Sequence, residues 1–451
     1  MLIARQIWGT GMRRLLFVLL ALFLFSGITA AQAPAAPGAR ELPPGLIVPD
    51  ASQPGPGFDV DKATESYIAL LSPEQRAQSD AYFEGGYWLQ LWGFLYGLLV
   101  CVVFITTGLS QKLRDIPKRI SHRPWLYTAI YAAFWLLAAE LLTLPWALYT
   151  GYFREHAYGL SNLSLGAWFG EAGKGLLVSL IIVPWLIAGL FAAVRKAGET
   201  WWLRAGAAGF VVIMLIGMIA PVFISPLFND YKPLPDGAVK SAIFSLARAN
   251  QIPTDNVVYF DASKQTNRVS ANVSGFAGTT QVSLNDNLLD KTSLPEIKAV
   301  MGHEMGHYVL NHGFRNVLFI SIVMMFGFWF VHKLIDRVIA RFGVRYGIVE
   351  RTDPAVLPIA VVVFSFFFLL ATPVTNSIIR TAEKEADLYG LNSAREPHGF
   401  ATAAMRLSTY RKIHPSKWEE IIFFDHPSGY DRVHSSMLWL QENQEIAKTG
   451  P

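Results

Sequence analysis

The chain has 451 residues, 52% of them hydrophobic and 16% charged, with a mean hydropathy of +0.32 and 13 tryptophans. That balance excludes a soluble globular protein and a disordered one and indicates an integral membrane protein. The net charge of +4 is small and scattered, so no nucleic-acid partner is expected, and the single Cys101 excludes a disulfide framework or a CxxC metal knuckle.

In chain order, residues 1–33 place Arg13 and Arg14 before a short apolar core and end in Ala31-Gln32-Ala33. This is the pattern of a secretory signal peptide cut near Ala30 to Ala33, or of a first transmembrane helix if it is retained. Residues 34–85 begin as a Pro, Gly and Ala-rich stretch to 58, expected as an extended linker. Amphipathic helix follows, broken where Ser72-Pro73 starts a new one. Crossing ~30 Å of hydrocarbon takes about 20 apolar residues. Such windows fall at 87–107, 124–149, 175–194 and 207–228 within segment 86–228, and at 316–331 and 355–378 within segment 316–378. Segments 229–315 and 379–451 are polar.

Loop charges set the orientation. Lys112, Arg114, Lys118, Arg119 and Arg123 follow the first of these spans, and Arg195, Lys196 and Arg204 follow the third. Lys333, Arg337, Arg341, Arg345 and Arg351 follow the fifth, whereas Arg154 is the only Lys or Arg in 151–171. The positive-inside rule puts the rich loops in the cytoplasm and both polar segments on the opposite face. Glu140 lies at membrane depth and is expected to face a water-filled chamber or to make a buried hydrogen bond. Gly170, Glu171, Gly173 and Lys174 are expected near an entrance to such a chamber, and Trp201 and Trp202 in an interfacial belt.

The polar segments carry the chemistry. "AVMGHEMGHYVLNH", Ala299 to His312, contains HExxH. On a helix, His303 and His307 leave the same face and can grip one Zn²⁺, and Glu304 between them is placed as a general base. Ser293 caps this helix, Pro295 and Glu296 fill its first turn, and Gly313 is expected to stop it. A hydrolytic zinc takes a third protein ligand. A metzincin extension is excluded, because Leu310 and Gly313 stand at its glycine and histidine positions. In "NSIIRTAEKEADLYG", Glu383 and Asp387 share a helix face with Arg380 one turn earlier, while Glu385 points away. Glu383 is therefore the candidate ligand and Asp387 the acceptor for a ligand histidine N–H. Spacing alone leaves an ordinary charged helix start equally open.

These motifs resemble the type I CAAX prenyl endopeptidases, membrane zinc proteases of the gluzincin kind, and their bacterial relatives. "PLFNDYKPLPDGAVKSAIFSLARANQIP" resembles the entry to their catalytic domain, and "SKQTNRVSANVSGFAGTTQVSLNDNLL" resembles their strand pair. HEMGH, "RTAEKEAD" and "HPSGYDR" follow in the family's order and spacing. The resemblance implies one Zn²⁺ per chain on His303, His307 and Glu383, with Glu304 as base and Asp387 beside a ligand. It also implies that His426 and Arg432 stabilise the oxyanion or fix the substrate. The strand around Ser270, Ala271, Asn272 and Gly275 would be an edge to which an extended peptide adds itself. Ser270 stands where the family has Asn, and Ile379 where it usually has Ser. The implied fold is an all-α transmembrane bundle of six or seven spans around a water-filled chamber, with an α+β metalloprotease domain formed by the two extramembrane segments.

The expected function is a zinc metalloendopeptidase of a bacterial inner membrane, its partners a peptide or protein substrate and the lipid bilayer. The loop charges place its metal on the periplasmic face, away from the cytoplasm where a processor of prenylated proteins works, so membrane-associated or periplasmic peptides are favoured. A non-catalytic transporter or scaffold would be expected to lose Glu304 or the third ligand, and both are present. Topology reporters fused after Lys118 and after Gln251 are expected to register cytoplasm and periplasm respectively; a cytoplasmic signal from Gln251 reverses the orientation.

Overall fold

The computed structural model describes residues 42–275 and 280–444. The signal-like segment 1–33 lies outside them. The N-terminal half forms α1 (Val60–Ile68), α2 (Pro73–Thr106), α3 (Leu109–Ile120), α4 (Pro124–Leu148), α5 (Leu165–Ala197) and α6 (Trp201–Ile219). Then come β1 (Tyr231–Pro233), α7 (Ala238–Ala249), β2 (Asn256–Phe260), β3 (Ala271–Ser274), β4 (Gln281–Asn285), α8 (Asp286–Lys291) and α9 (Leu294–Val309). The chain returns to long helices in α10 (His312–Val338) and α11 (Leu357–Ala394), and ends with α12 (Pro397–Leu407), α13 (Lys417–Phe423) and α14 (Gly429–Glu442).

Among the described residues, 5 continuous helical runs are long and apolar enough to cross a membrane. One of them, Leu165–Leu227, has 63 residues, far more than one crossing needs. It turns at Gly198, whose φ of +53° lies in the left-handed region, and folds back as α5 and α6. Arg195 at the end of α5 donates to Thr128 near the start of α4. Trp201 at the start of α6 meets His332 near the end of α10, and Phe210 meets Phe314 near the start of α10. The spans are therefore α2, α4, α5, α6, α10 and α11, agreeing with the six apolar windows. The three Lys and Arg-rich loops meet at one end of this bundle: Arg114 pairs with Asp353, and Arg351 with Glu199 at 2.6 Å.

α2 starts where Ser and Pro predict. The Gln75 N–H donates to the Ser72 hydroxyl and the Ser72 N–H to the Gln75 side chain, closing a capping box. The helix then runs unbroken from its amphipathic start into the membrane. Glu140, on α4, is exposed along the helix surface.

The protease-like part is a four-stranded sheet in the order β1-β2-β4-β3, with β3 at the edge and antiparallel to β4. β2 and β4 are parallel, and β1 is antiparallel to β2. Val257, Val282, Leu284 and Leu288 pack on Ile297, Met301 and Met305 of α9, so the apolar face of the sheet supports the HExxH helix from behind. That helix stops at Asn311, which adopts φ +54°, and not at Gly313, which lies inside α10. An asparagine tolerates the left-handed conformation that reverses the chain here, and Gly313 is left as an ordinary helical residue.

Two elements departed in the sequence meet through small residues. A methyl group on Gly302 would lie 3.0 Å from the Gly390 carbonyl oxygen, and one on Gly390 would lie 2.7 Å from the His303 nitrogen. Gly306 faces the Ala386 Cα in the same way at 3.2 Å. α9 and α11 thus touch backbone to backbone, in the small-residue manner of membrane helix pairs.

The described part of the Pro and Gly-rich stretch, 42–58, is irregular apart from a short turn at Asp50–Ser52, and it is docked. Leu42 is buried with Tyr67, Leu71, Met405, Val433 and Met437. The Arg406 guanidinium donates to the carbonyls of Leu42, Pro43 and Gly45 and, at 2.6 Å, to Glu296. Glu296 in turn accepts from the backbone and hydroxyl of Ser293, capping α9. Composition shows that a segment lacks helix or strand periodicity; it does not show that its carbonyls have a buried cation waiting for them. Arg406→Met strands the fully buried Glu296 carboxylate and is expected to cost about 3–5 kcal/mol. The measurement is the unfolding midpoint of the detergent-solubilised protein, and an unchanged midpoint refutes this role.

Candidate metal centre

The HExxH spacing and the glycine contact together set the centre. α9 presents His303 and His307 on one face, and α11 presents Glu383 opposite them. One ligand atom from each of these residues lies within 4.8 Å of the other two. The two Nε2 atoms are 3.1 Å apart, and the Glu383 carboxylate oxygens lie 3.3 Å from His307 Nε2 and 3.5 Å from His303 Nε2. Tetrahedral zinc with bonds of 2.0–2.2 Å needs donors spaced by about 3.3 Å. Two nitrogens and one carboxylate at this spacing fit the metal in type, number and geometry.

Each imidazole is held from behind. His303 Nδ1 lies 2.8 Å from Asp387 Oδ1, which leaves Nε2 free to turn toward the other donors. Arg432 clamps both carboxylates on α11, donating from Nε to Asp387 at 2.9 Å and from Nη2 to Glu383 at 3.0 Å. His307 Nδ1 lies 2.9 Å from Nδ1 of His312, a residue with no role in the motif. His312 Nε2 lies 3.0 Å from Glu385, to which Arg315 donates at 2.7 Å. If His307 keeps Nε2 for a metal, its Nδ1–H donates to His312 and the His312 Nε2–H donates to Glu385. The chain of protons has one consistent arrangement.

Sequence reasoning passed over this relay. Glu385 does point away from Glu383 on α11, but it points onto α10, which the helical pattern of one segment cannot reveal. The His312 signal was a third histidine five residues after His307, beyond the helix end.

Glu304 lines the same cavity of about 310 Å³ as His303, His307, Glu383, His426 and Arg432. Burial raises its carboxyl above the ordinary value, and the neighbouring histidines oppose that rise. His426 reaches within 3.3 Å of Glu383 through Nε2, and its Nδ1 lies 2.7 Å from Asp425. Burial lowers the His426 pKa while Asp425 pulls it back. Of the strand residues, Ser270 and Ala271 line the cavity. Asn272 is exposed on the opposite side of β3, as strand alternation requires, and Gly275 lies just past the strand with φ +117°. The Ser270 carbonyl accepts from the Asn285 N–H at 2.9 Å, and among the described residues no strand pairs with the other edge of β3.

His312→Phe removes the acceptor for His307 Nδ1–H at similar volume. It is expected to weaken zinc binding by about 10–100-fold, read by competition with a chromophoric chelator. An unchanged affinity dismisses the relay.

The model of the CAAX prenyl protease N-terminal region, described as five membrane helices, matches residues 61–230, and that of peptidase family M48 matches residues 233–437. The uncharacterized metalloprotease YhfN of Bacillus subtilis is 27% identical over 367 residues, 81% of this chain and 86% of that protein. A CAAX prenyl protease 1 homolog of rice is 23% identical over 68% of this chain and 72% of its own length. CAAX prenyl protease 1 of Saccharomyces cerevisiae is 30% identical over 56% of this chain and 58% of its own. The crystal structure of S. mikatae Ste24p shares the fold, with a TM-score of 0.68 at 23% identity over 81% of this chain and 89% of that one. Since the two family matches follow each other along the chain and divide it where the membrane helices give way to the sheet, the protein belongs to peptidase family M48 with the membrane domain of the CAAX prenyl proteases.

Proposed function

We propose that this protein is a zinc-dependent membrane endopeptidase that cleaves extended, membrane-associated or periplasmic peptides. The observation that carries the reading is the convergence of His303, His307 and Glu383 beside Glu304, in a cavity that opens along the free edge of β3.

Zinc bound by these three side chains would supply Lewis-acid polarisation of the scissile carbonyl and a more acidic attacking water. The chain's own groups account for the rest. Glu304 takes the proton of the attacking water and delivers it to the leaving amine, work suited to a carboxyl whose pKa burial has raised. His426, steadied by Asp425 and lining the same cavity as Glu304, serves as a donor to the developing oxyanion, a contribution of about 3 kcal/mol for one well-placed donor. Arg432 is committed to Glu383 and Asp387 and acts by holding both carboxylates in place. The substrate backbone pairs with the outer edge of β3, which orients the scissile bond over the cavity.

The meeting of the three basic loops at one end of the bundle supports a periplasmic centre in a bacterial inner membrane, since the sheet emerges from the other end. A prenylated CAAX peptide would then be a substrate only when supplied to that face.

Glu304→Gln is expected to retain zinc at wild-type stoichiometry and to lose at least about 100-fold in kcat. Metal analysis of the purified variant and peptide cleavage followed by mass spectrometry test it together. Full activity in this variant ends the assignment.

A further inference from the structure

Among the described residues, the cavity is lined by one cation that has no carboxylate partner. Arg406 is neutralised by Glu296, and Arg432 by Glu383 and Asp387. The third, Arg411, lines the same cavity as His303, Glu304 and His426. Among the described residues no carboxylate lies within ion-pair distance of its guanidinium, and the charged groups acting on it from further away are Arg432, Asp425 and Glu383. Its neighbour Lys412 shows the contrast, with Glu84 at 2.6 Å and Glu419 at 2.7 Å. Arg411 is half-buried, and that burial lowers its pKa below the ordinary value.

The backbone around Arg411 is fixed. Ser79, fully buried on α2, donates to the carbonyls of Ser408 and Arg411 at 2.7 and 3.1 Å. The Tyr410 ring sits 5.5 Å from the Arg268 guanidinium, at the approach to β3. A membrane helix and the edge-strand loop therefore hold Arg411 in the wall of the cavity. Leu288, Val300, Phe400 and Leu407 give that wall apolar stretches, and the other two guanidinium groups that line it, Arg406 and Arg432, are already paired with carboxylates.

We propose that Arg411 is a specificity-determining residue that binds a carboxylate of the substrate, supplied by a free peptide C-terminus or by an acidic side chain near the scissile bond. A guanidinium presents paired N–H donors to a carboxylate in one plane, and the pairing gains strength where water is excluded. An extended peptide on the β3 edge carries such a group into the cavity alongside the scissile bond. This inference rests on the peptidase reading above.

The test uses the full-length, zinc-loaded protein in detergent with four quenched peptides of one core sequence. One pair differs only in a free or amidated C-terminus, and the other only in an internal Glu or Gln. The wild type is expected to favour the carboxylate member of one pair by about tenfold or more in kcat/KM, with the difference in KM. The pair that discriminates identifies the source of the carboxylate. Arg411→Gln is expected to erase the preference, and Arg411→Lys to keep part of it. Equal cleavage of both members of both pairs by the wild type overturns the inference and leaves the peptidase reading standing, a result that does not depend on any variant folding. A loss in Arg411→Gln that falls equally on kcat for all four peptides also overturns it. Absence of zinc-dependent cleavage of every peptide overturns both.

Discussion

The contact on which the centre depends is the backbone-to-backbone approach of α9 and α11. Glycines at 302, 306 and 390 remove the side chains that would otherwise keep these helices further apart. Gly302 and Gly306 each precede a candidate ligand by one residue, so the spacing that aligns His303 and His307 also aligns the two gaps behind them. The donor distances follow from this registration. A helix pair held one methyl group wider would move Glu383 away from both imidazoles at once.

Around that contact the side chains of the centre are held by further polar groups. Asp387 and Arg432 secure His303 and Glu383, and His312 with Glu385 and Arg315 secures His307. The same logic operates at the start of α9, where Glu296 closes the capping box and meets Arg406, which in turn holds the N-terminal stretch. Helix cap, buried ion pair and docked segment are a single network. The HExxH helix is thus fixed at its first turn as well as at its glycines.

Legibility in the sequence followed the range over which each signal acts. HExxH and the capping boxes at Ser72 and Ser293 are local patterns, and a single stretch of sequence reveals them. The membrane spans were visible because hydrocarbon imposes a length. Glu383 needed the resemblance as well as its spacing, since two spans separate it from His307. His312 and the docking of Leu42 were out of reach, because each depends on a neighbour that belongs to another element. Asn311 in place of Gly313 shows the same limit on a smaller scale: glycine is the favoured residue for a left-handed turn, but the turn was needed two positions earlier.

α11 carries Glu383 on a helix of 38 residues that also forms the last span. The apolar window ends at residue 378, so at 1.5 Å per residue the carboxylate rises only about 8 Å beyond it along the axis. The helix is a ruler that fixes the height of the centre above the hydrocarbon. That height puts the proposed centre near the outer edge of the headgroup region, about 5–7 Å deep on each side of the hydrocarbon. For a peptidase at that height, a membrane-tethered substrate reaches the site by diffusion in two dimensions, whereas a dissolved one has to find it in three.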